Sequence, residues 1–343
     1  MNHGDRSILD FYSPRLRRRQ FLKASLIGVG GLAAATVGLT RLATLIAASP
    51  GLGRWRRLTP KTIPSVRFGA VMAFDGARGA PILFSEGQAA EAWAWNGSTW
   101  LRERPPLSPP ARAGASISYH PPTKTIVLFG GTTSQGFLGD TWLWNGRTWN
   151  AVLGAGPRAR ANASMAFDPG TGSLILFGGY GDGLLGDTWK WDGRAWRALS
   201  PSTSPPPLSG TSSAYSAALG KLILFGGSPF QMAGGGSDVT WAWDGMNWSR
   251  ISFDSSPPGR FFAAMAADPE GKLVLLFGGS GESLLGDTWT LASRWSADTR
   301  SPAPPPRAGA SLVPDPSSNS FLLFGGGDGS GRVLNDTWAW GPI

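Results

Sequence analysis

The feature that most constrains the fold of this chain is a motif that occurs six times in its 343 residues, beginning near LFGG and continuing to GDTWxWxGxxW. The copies lie about 45–52 residues apart, a period typical of repeats that each fold as one small unit. Such a chain has no single central core, because each unit buries its apolar faces on the next. The copies are centred on Phe84, Phe129, Phe177, Phe225, Phe277 and Phe324.

All 17 tryptophans occupy three columns of this repeat, so none remains as an additional platform for a ligand. Leu291 fills the one position of the second column that lacks a tryptophan. The first column is Trp93, Trp142, Trp189, Trp241, Trp289 and Trp338. The second is Trp95, Trp144, Trp191, Trp243 and Trp340. The third is Trp55, Trp100, Trp149, Trp196, Trp248 and Trp295.

The third copy, residues 160–199, shows which elements one repeat encodes. A strand of small residues ends in a turn after Asp168, and a continuous apolar run follows, as expected for a strand buried on both faces. A glycine pair ends that run. An alternating strand then leads into the hairpin turn Asp192-Gly193, which requires positive φ. With a last strand at Trp196, each copy is predicted to form four antiparallel strands.

The glycine pairs and the tryptophan columns resemble those of kelch-repeat propellers over residues 52–343. The resemblance implies an all-β domain, a six-bladed kelch-type β-propeller in which each copy is one blade. The first copy departs from the pattern with Ser85-Glu86 in place of the glycine pair, so we expect a distorted first blade. The other pairs stand at 130/131, 178/179, 226/227, 278/279 and 325/326.

The two ends of the repeat region complement each other. The sixth copy stops at Trp340-Gly-Pro-Ile343, before any fourth strand. The segment Trp55-Arg-Arg-Leu58 precedes the first copy and matches Trp196-Arg-Ala-Leu199. We therefore predict that the N-terminal strand completes the last blade, which removes the open edges of the ring.

The N-terminus carries a targeting pattern. Residues 18–23 read RRQFLK and precede a mildly apolar segment, and this resembles a bacterial twin-arginine signal. The resemblance implies export of the folded chain across the cytoplasmic membrane. We expect residues 1–48 to be a signal peptide cleaved near Ala48, or an uncleaved anchor helix. The mature protein is then periplasmic, extracellular or anchored on the outer side of the membrane.

Composition excludes several classes of site. Cysteine is absent and the only histidines are His3 and His120, so disulfides, thiolate sites and multi-histidine metal centres cannot form. We expect no metal or cofactor, and His120 is expected to lie in a solvated turn. Of the net charge of +9, seven basic and two acidic residues precede Ser49, which leaves 24 basic and 20 acidic residues. This balance predicts that the chain binds no nucleic acid. We also expect a monomer that contacts membranes only through its N-terminal segment.

Five copies begin the inner strand with an arginine, and the third strand of most copies begins with an acid. One interpretation is a structural ion pair in each blade, with room for the guanidinium beside the glycine pair; the other is a ring of arginines that binds an acidic ligand at the channel mouth. The fourth copy favours the pair, because Leu208 and Val239 replace both members. The arginines are Arg67, Arg112, Arg160, Arg260 and Arg307. The acids are Glu91, Asp140, Asp187, Asp287 and Asp336.

The loops between second and third strands share a face with these arginines and vary most between copies. Variable loops on a rigid scaffold are where such folds bind partners, although they can also be solvated connectors. The candidate ligand contacts in these loops are Tyr180, Asp182, Phe230, Met232, Glu282 and Arg332.

The sequence favours an exported, non-catalytic kelch propeller that binds a protein or polysaccharide through this face. The alternative is a carbohydrate-active enzyme at the channel mouth, for which the six-bladed kelch sialic-acid mutarotases are a precedent. It would need Glu86, Asp182 or Glu282 as its acid or base. A free carboxylate beside the arginines would favour the enzyme, and acids held in repeat positions would favour the binding protein.

Overall fold

The computed structural model describes residues 53–65, 69–85, 91–230, 235–300 and 302–342. The predicted signal or anchor at residues 1–48 lies outside these ranges, as do Arg67, Glu86 and Met232. Within them the chain is all-β apart from two short 3-10 turns, Pro121–Thr123 and Pro316–Ser318. None of the described helices is long and apolar enough to cross a membrane.

The described residues form a six-bladed β-propeller of four-stranded antiparallel sheets. Blade 1 contains β2 (Val71–Asp75), β3 (Ala80–Ser85), β4 (Glu91–Trp95) and β5 (Trp100–Glu103). Blade 2 contains β6 (Ser116–His120), β7 (Thr125–Phe129), β10 (Thr141–Trp144) and β11 (Trp149–Val152), with the small hairpin β8 (Thr132–Thr133) and β9 (Gly136–Phe137). Blade 3 contains β12 (Ser164–Asp168), β13 (Ser173–Tyr180), β14 (Leu184–Trp191) and β15 (Trp196–Leu199).

The second half of the chain repeats this order. Blade 4 contains β16 (Ser209–Ser216), β17 (Lys221–Ser228), β18 (Thr240–Trp243) and β19 (Trp248–Ile251). Blade 5 contains β20 (Ala264–Ala267), β21 (Val274–Ser280), β22 (Leu284–Leu291) and β23 (Trp295–Asp298). Blade 6 contains β24 (Ser311–Asp315), β25 (Ser320–Phe324), β26 (Thr337–Gly341) and β1 (Arg54–Leu58).

The N-terminal strand closes the ring as predicted. Strand β1 pairs antiparallel with β26, and Trp55 lies opposite Trp340. Gly53 makes this possible, because a Cβ there would lie only 2.6 Å from the Trp340 ring. Strand β26 is therefore paired on both sides, and the last blade has four strands like the others.

The core of the fold lies between blades. The apolar run of each second strand is buried on both faces, as at Leu174, Ile175 and Leu176, each at most 2% exposed. Third-column tryptophans cross to the preceding blade, where the Nε1 of Trp248, for example, donates to Oγ1 of Thr188 at 3.0 Å. The blades are therefore joined by hydrogen bonds as well as by apolar packing.

Blade 1 keeps all four strands. Glu86 lies outside the described residues, so the distortion expected at the missing glycine pair stays a prediction.

One expectation needs correction. His120 is fully buried at the end of β6 rather than solvated, because the next blade covers it. A Cβ on Gly193 of that blade would lie 2.9 Å from the imidazole.

Candidate functional site at the loop face

The end of the ring that carries the connections between second and third strands is called here the loop face. In blades 2, 3, 5 and 6, isolated bridges such as Ala161↔Tyr180 tie the start of the inner strand to this connection in its own blade. The predicted arginines, their acids and the variable loops therefore meet at one end of the channel.

Four of the arginines form bidentate ion pairs with the aspartate of their own blade. In blade 3, Nη1 and Nη2 of Arg160 lie 2.5 and 2.8 Å from the two carboxylate oxygens of Asp187. The indole Nε1 of Trp189 donates to the same carboxylate at 2.6 Å. The equivalent pairs are Arg112–Asp140, Arg260–Asp287 and Arg307–Asp336. The predicted structural pairing is confirmed in these blades.

The rest of each guanidinium is bound to backbone. Nε of Arg160 donates to the carbonyl of Arg158 at 2.9 Å, and Nη1 also donates to the carbonyl of Gly178 at 3.0 Å. All four side chains are 0% exposed. These arginines therefore offer no accessible donor to an acidic ligand, which is the reason that we do not assign them to ligand contact.

The ion pairs lower the pKa values of their aspartates. Burial by itself would raise the pKa of Asp187, but the hydrogen bonds from Arg160 and Trp189 outweigh burial and hold that pKa below its usual value. The pKa values of Asp140, Asp287 and Asp336 are lowered against burial in the same way. These carboxylates remain ionised near neutrality, so they cannot act there as general acids.

The glycine pairs have a different role from the one expected. A Cβ on Gly178 would lie 2.5 Å from the carbonyl oxygen of Leu208 in the next blade, rather than against the guanidinium. Gly179 donates its backbone N–H to that same carbonyl at 2.9 Å. Both glycines have positive φ. The pair is thus a docking point for the neighbouring blade.

Blade 4 departs from the pairing scheme, whereas the predicted arginine of blade 1, Arg67, lies outside the described residues. In blade 1 Glu91 is bound by Arg102 of the outer strand at 2.9 Å. In blade 4 Leu208 is buried. There the guanidinium of Arg250 lies over the Trp241 ring, 5.0 Å from its centroid. Blade 4 therefore lacks the fixed charge pair at the channel mouth.

Sequence reasoning missed a set of residues around the channel axis, each two positions after an inner-strand arginine position and each with positive φ. Backbone hydrogen bonds link five of them in a series from Gly114 through Asn162, Gly210 and Phe262 to Gly309. Four are glycines, but blades 3 and 5 carry Asn162 and Phe262 with φ of 59° and 55°. Asparagine tolerates this conformation, whereas a bulky side chain there costs on the order of 1–3 kcal/mol. The glycines are Gly69, Gly114, Gly210 and Gly309.

The predicted loop residues that the structure describes lie around this mouth, and Met232 is outside the described ranges. The Tyr180 ring packs edge-on against Phe137 of blade 2, with centroids 5.7 Å apart. Phe230 is 60% exposed, and Asp182, Glu282 and Arg332 are exposed as well. The structure thus brings aromatic and charged side chains to one face.

The opposite end of the channel holds a larger cavity, whose lining includes the carboxylate residues Asp268 and Glu270. This cavity of 420 Å³ is also lined by the aromatic side chains Phe74, Tyr119, Phe167 and Tyr215 of four successive blades. Burial and the nearby Asp75 raise the pKa of Tyr119. Across the described residues no group of three or more His, Asp or Glu side chains could hold a metal ion.

Comparison with known proteins supports the fold. The solved structure of YjhT is similar to this chain with a TM-score of 0.60 and 15% sequence identity, over 81% of this chain and 96% of that one. No protein-family model matches the chain, and no curated protein matches it.

Proposed function

We propose that this protein is an exported, non-catalytic propeller of the kelch type that binds a protein or polysaccharide through its loop face. The observation that carries this proposal is the state of the acids at the channel mouth. Asp140, Asp187, Asp287 and Asp336 each accept two hydrogen bonds from a buried arginine and one from a tryptophan. They are parts of the scaffold, and a rigid scaffold with variable loops suits binding.

No specific observation favours the carbohydrate-active enzyme. A general acid or base needs a carboxylate held beside the reacting atoms in a site that excludes water. Asp182 and Glu282 are exposed loop side chains. Among the described residues lining the mouth of the channel at the loop face, none is ionisable.

Export supports the same proposal from the sequence side. A twin-arginine route carries folded chains, and a ring whose two ends pair in one sheet must be whole before its last blade forms. Absence of cysteine suits a fold that is complete before it leaves the cytoplasm.

The binding proposal is tested with the mature chain from Ser49, a panel of immobilised polysaccharides and pull-down from the cell envelope. We expect Tyr180→Ala and Phe230→Ala to weaken capture about tenfold or more, since aromatic anchors dominate most binding faces. Met246→Ala is the matched control, because Met246 is 73% exposed in a turn at the opposite face. Equal loss in the control would place the binding surface elsewhere. Turnover of a bound sugar, seen by NMR of its anomeric protons, would overturn the non-catalytic assignment.

A further inference from the structure

The outer strand of blade 6 carries an unusual concentration of positive charge. Strand β1 reads RWRRL, and Arg54, Arg56 and Arg57 are exposed while Trp55 is buried. Residues 49–343 hold 24 basic and 20 acidic residues, and three of the basic residues but no acid lie in this five-residue strand. Most of the excess positive charge of the domain therefore lies at one edge of the ring.

The arginines of β1 differ from those of the other outer strands in having no acidic partner. Arg102 of blade 1 binds Glu91 at 2.9 Å, and Arg197 of blade 3 binds Asp192 at 3.2 Å. The guanidinium of Arg250 in blade 4 lies over a tryptophan ring. Within the described ranges, no ion pair includes an arginine of β1.

Two acids close to β1 are already occupied. Asp298 accepts a hydrogen bond from Trp340 of the adjacent strand, but Arg300 binds it at 2.6 Å and its side chain is only 5% exposed. The charge of Arg57 acts on Asp336, which is 13% exposed and bound by the buried arginine of its own blade. The guanidinium groups of β1 are therefore directed to solvent and to what lies beyond the ring.

Protection of a sheet edge does not account for three arginines. Charged side chains on an edge strand do hinder pairing with other chains. However, β11 is the outer strand of blade 2 in the same way, and its sequence WNAV has no charged residue. The charge of β1 is thus more than this fold needs at such an edge.

The path of the chain places β1 beside the predicted membrane segment. Arg54 lies opposite Gly341 and Leu58 lies opposite Thr337, so β1 begins at the end of the ring away from the loop face. The predicted signal or anchor ends near Ala48, and six residues of extended chain from there to Arg54 span about 20 Å. A retained anchor would hold this edge at the bilayer surface, with the loop face at the far end of the ring.

We propose that β1 binds the anionic surface of a phospholipid bilayer through Arg54, Arg56 and Arg57, with the loop face directed away from the membrane. This extends the expected membrane contact from the N-terminal segment to the ring, and it does not depend on what the loop face binds. Guanidinium groups bind phosphate through paired N–H donors. Each basic residue near an anionic bilayer strengthens binding about fivefold, and a weak anchor becomes stable when a basic patch supplements it.

The test uses the chain from Ser49, which contains every described strand, in flotation with vesicles of equal parts phosphatidylglycerol and phosphatidylcholine. We expect binding that is at least tenfold weaker to pure phosphatidylcholine vesicles, and at least tenfold weaker at about 0.5 M salt, where charges are strongly screened. Replacing Arg54, Arg56 and Arg57 together with glutamine should weaken binding at least tenfold. The melting temperature should not change, because no ion pair is lost. If the triple variant does not fold, the double variant Arg54→Gln/Arg56→Gln replaces it, with an expected loss of about tenfold.

A matched control removes the same charge from the loop face. Arg104, Arg158 and Arg332 are exposed there, and their replacement with glutamine should leave vesicle binding unchanged. The chain contains no cysteine, so one introduced cysteine can carry an environment-sensitive dye. We expect the dye to brighten on vesicles in Ser293→Cys, in a turn of blade 5 beside the start of β1, and not in Ser330→Cys, in the loop face of blade 6.

Four results would overturn the membrane contact. They are equal binding to vesicles with and without phosphatidylglycerol, equal losses in the β1 variant and the loop-face control, brightening at position 330 instead of 293, and tighter binding of soluble polygalacturonate than of the vesicles. The last result would assign β1 to an acidic polymer. None of them would affect binding through the loop face, which is measured with Tyr180→Ala and Phe230→Ala.

Discussion

The indole Nε1 of Trp55 donates a 2.8 Å hydrogen bond to Oγ1 of Thr288, 233 residues further along the chain. Trp55 belongs to the strand that completes blade 6, and Thr288 belongs to blade 5. The Trp55 ring also meets Phe277 edge-on, with centroids 5.0 Å apart. One residue of the N-terminal strand thus fixes both the last sheet and its packing on the sheet before it.

Closure can be tested at this residue. Trp55→Ala removes a 3% exposed indole, and large-to-small changes of this kind cost about 3–5 kcal/mol. Deleting residues 49–60 should cost at least as much. Urea unfolding followed by tryptophan fluorescence measures both, with the exposed Arg56→Ala as control. A deletion variant that unfolds at the wild-type midpoint would contradict a structural role for this strand.

In blade 2 the indole N–H of the tryptophan in the same column lacks a hydrogen-bond acceptor among the described residues. This N–H, Nε1 of Trp149, has no acceptor because the preceding blade carries Ala92 where each of the other blades carries a threonine. The threonines that accept from this column are Thr141, Thr188, Thr240, Thr288 and Thr337. Ala92→Thr should supply the missing oxygen and stabilise the fold by about 1 kcal/mol. The converse change, Thr288→Ala, should destabilise by about 1–3 kcal/mol, because it leaves Trp55 Nε1 unpaired. If Ala92→Thr lowers the urea midpoint, the position lacks room for a hydroxyl.

His120 should make stability depend on pH. Its Nε2 donates to the carbonyl of Gly172 at 3.1 Å, so Nδ1 accepts from Thr123 Oγ1 at 2.8 Å and the buried ring is neutral. Burial lowers the pKa of His120, against the opposing effects of the Gly172 carbonyl and Asp192. The unfolded chain, with a pKa of about 6.5, then binds the proton more readily, so stability is full above about pH 6.5 and falls as pH drops below it.

The pH prediction is checked by urea midpoints of wild type and His120→Gln between pH 7.5 and 5.0. We expect the wild type to lose stability over this range and the variant to lose less. The aspartates with lowered pKa values contribute only further down, since their stabilisation is lost below about pH 4. Parallel curves for the two proteins would show that His120 does not titrate with folding.

Much of the propeller could be predicted because each copy of the repeat encodes one four-stranded blade. The tryptophan columns, the split last blade and the replacement of both the arginine and the acid by Leu208 and Val239 are all visible in the aligned copies. What sequence reasoning missed depends on the neighbouring blade. His120 is buried by Gly193 of blade 3, and the glycine pairs receive carbonyls from the next blade.

The hydrogen-bonded series at the channel axis was missed for another reason. Asn162 and Phe262 are ordinary residues within a single copy, and their backbone conformation becomes evident only when the column with Gly69, Gly114 and Gly210 is read. That column was a signal available in the sequence, since glycine recurring at one position indicates positive φ.

Export is predicted to depend on the paired arginines near the N-terminus. Replacing Arg18 and Arg19 with lysine should retain the chain in the cytoplasm and leave the melting temperature of the domain unchanged, because the signal precedes the ring. Cell fractionation and mass spectrometry of the mature N-terminus measure this, and a start near Ser49 would separate cleavage from anchoring. Unchanged export of the double variant would contradict a twin-arginine signal.

The two members of each Arg–Asp pair should differ in how much stability the fold loses when one of them is replaced by alanine. Arg160 is 0% exposed and Asp187 is 39% exposed, so water can reach the carboxylate but not the guanidinium. Asp187→Ala leaves a buried cation without its partner and should cost about 3–5 kcal/mol. Arg160→Ala should cost less, because the remaining carboxylate can hydrate.

A double-mutant cycle on Arg160 and Asp187 measures the coupling directly. Arg197–Asp192 in the same blade is the matched surface pair, with 66% and 29% exposed side chains, and its coupling should be about 0–1 kcal/mol. In blade 4, which lacks the pair, Asp238→Ala should leave the urea midpoint unchanged because that side chain is exposed. Equal coupling in the buried and surface pairs, or a greater cost for Arg160→Ala than for Asp187→Ala, would contradict the view that these pairs hold the blades in shape through a desolvated guanidinium.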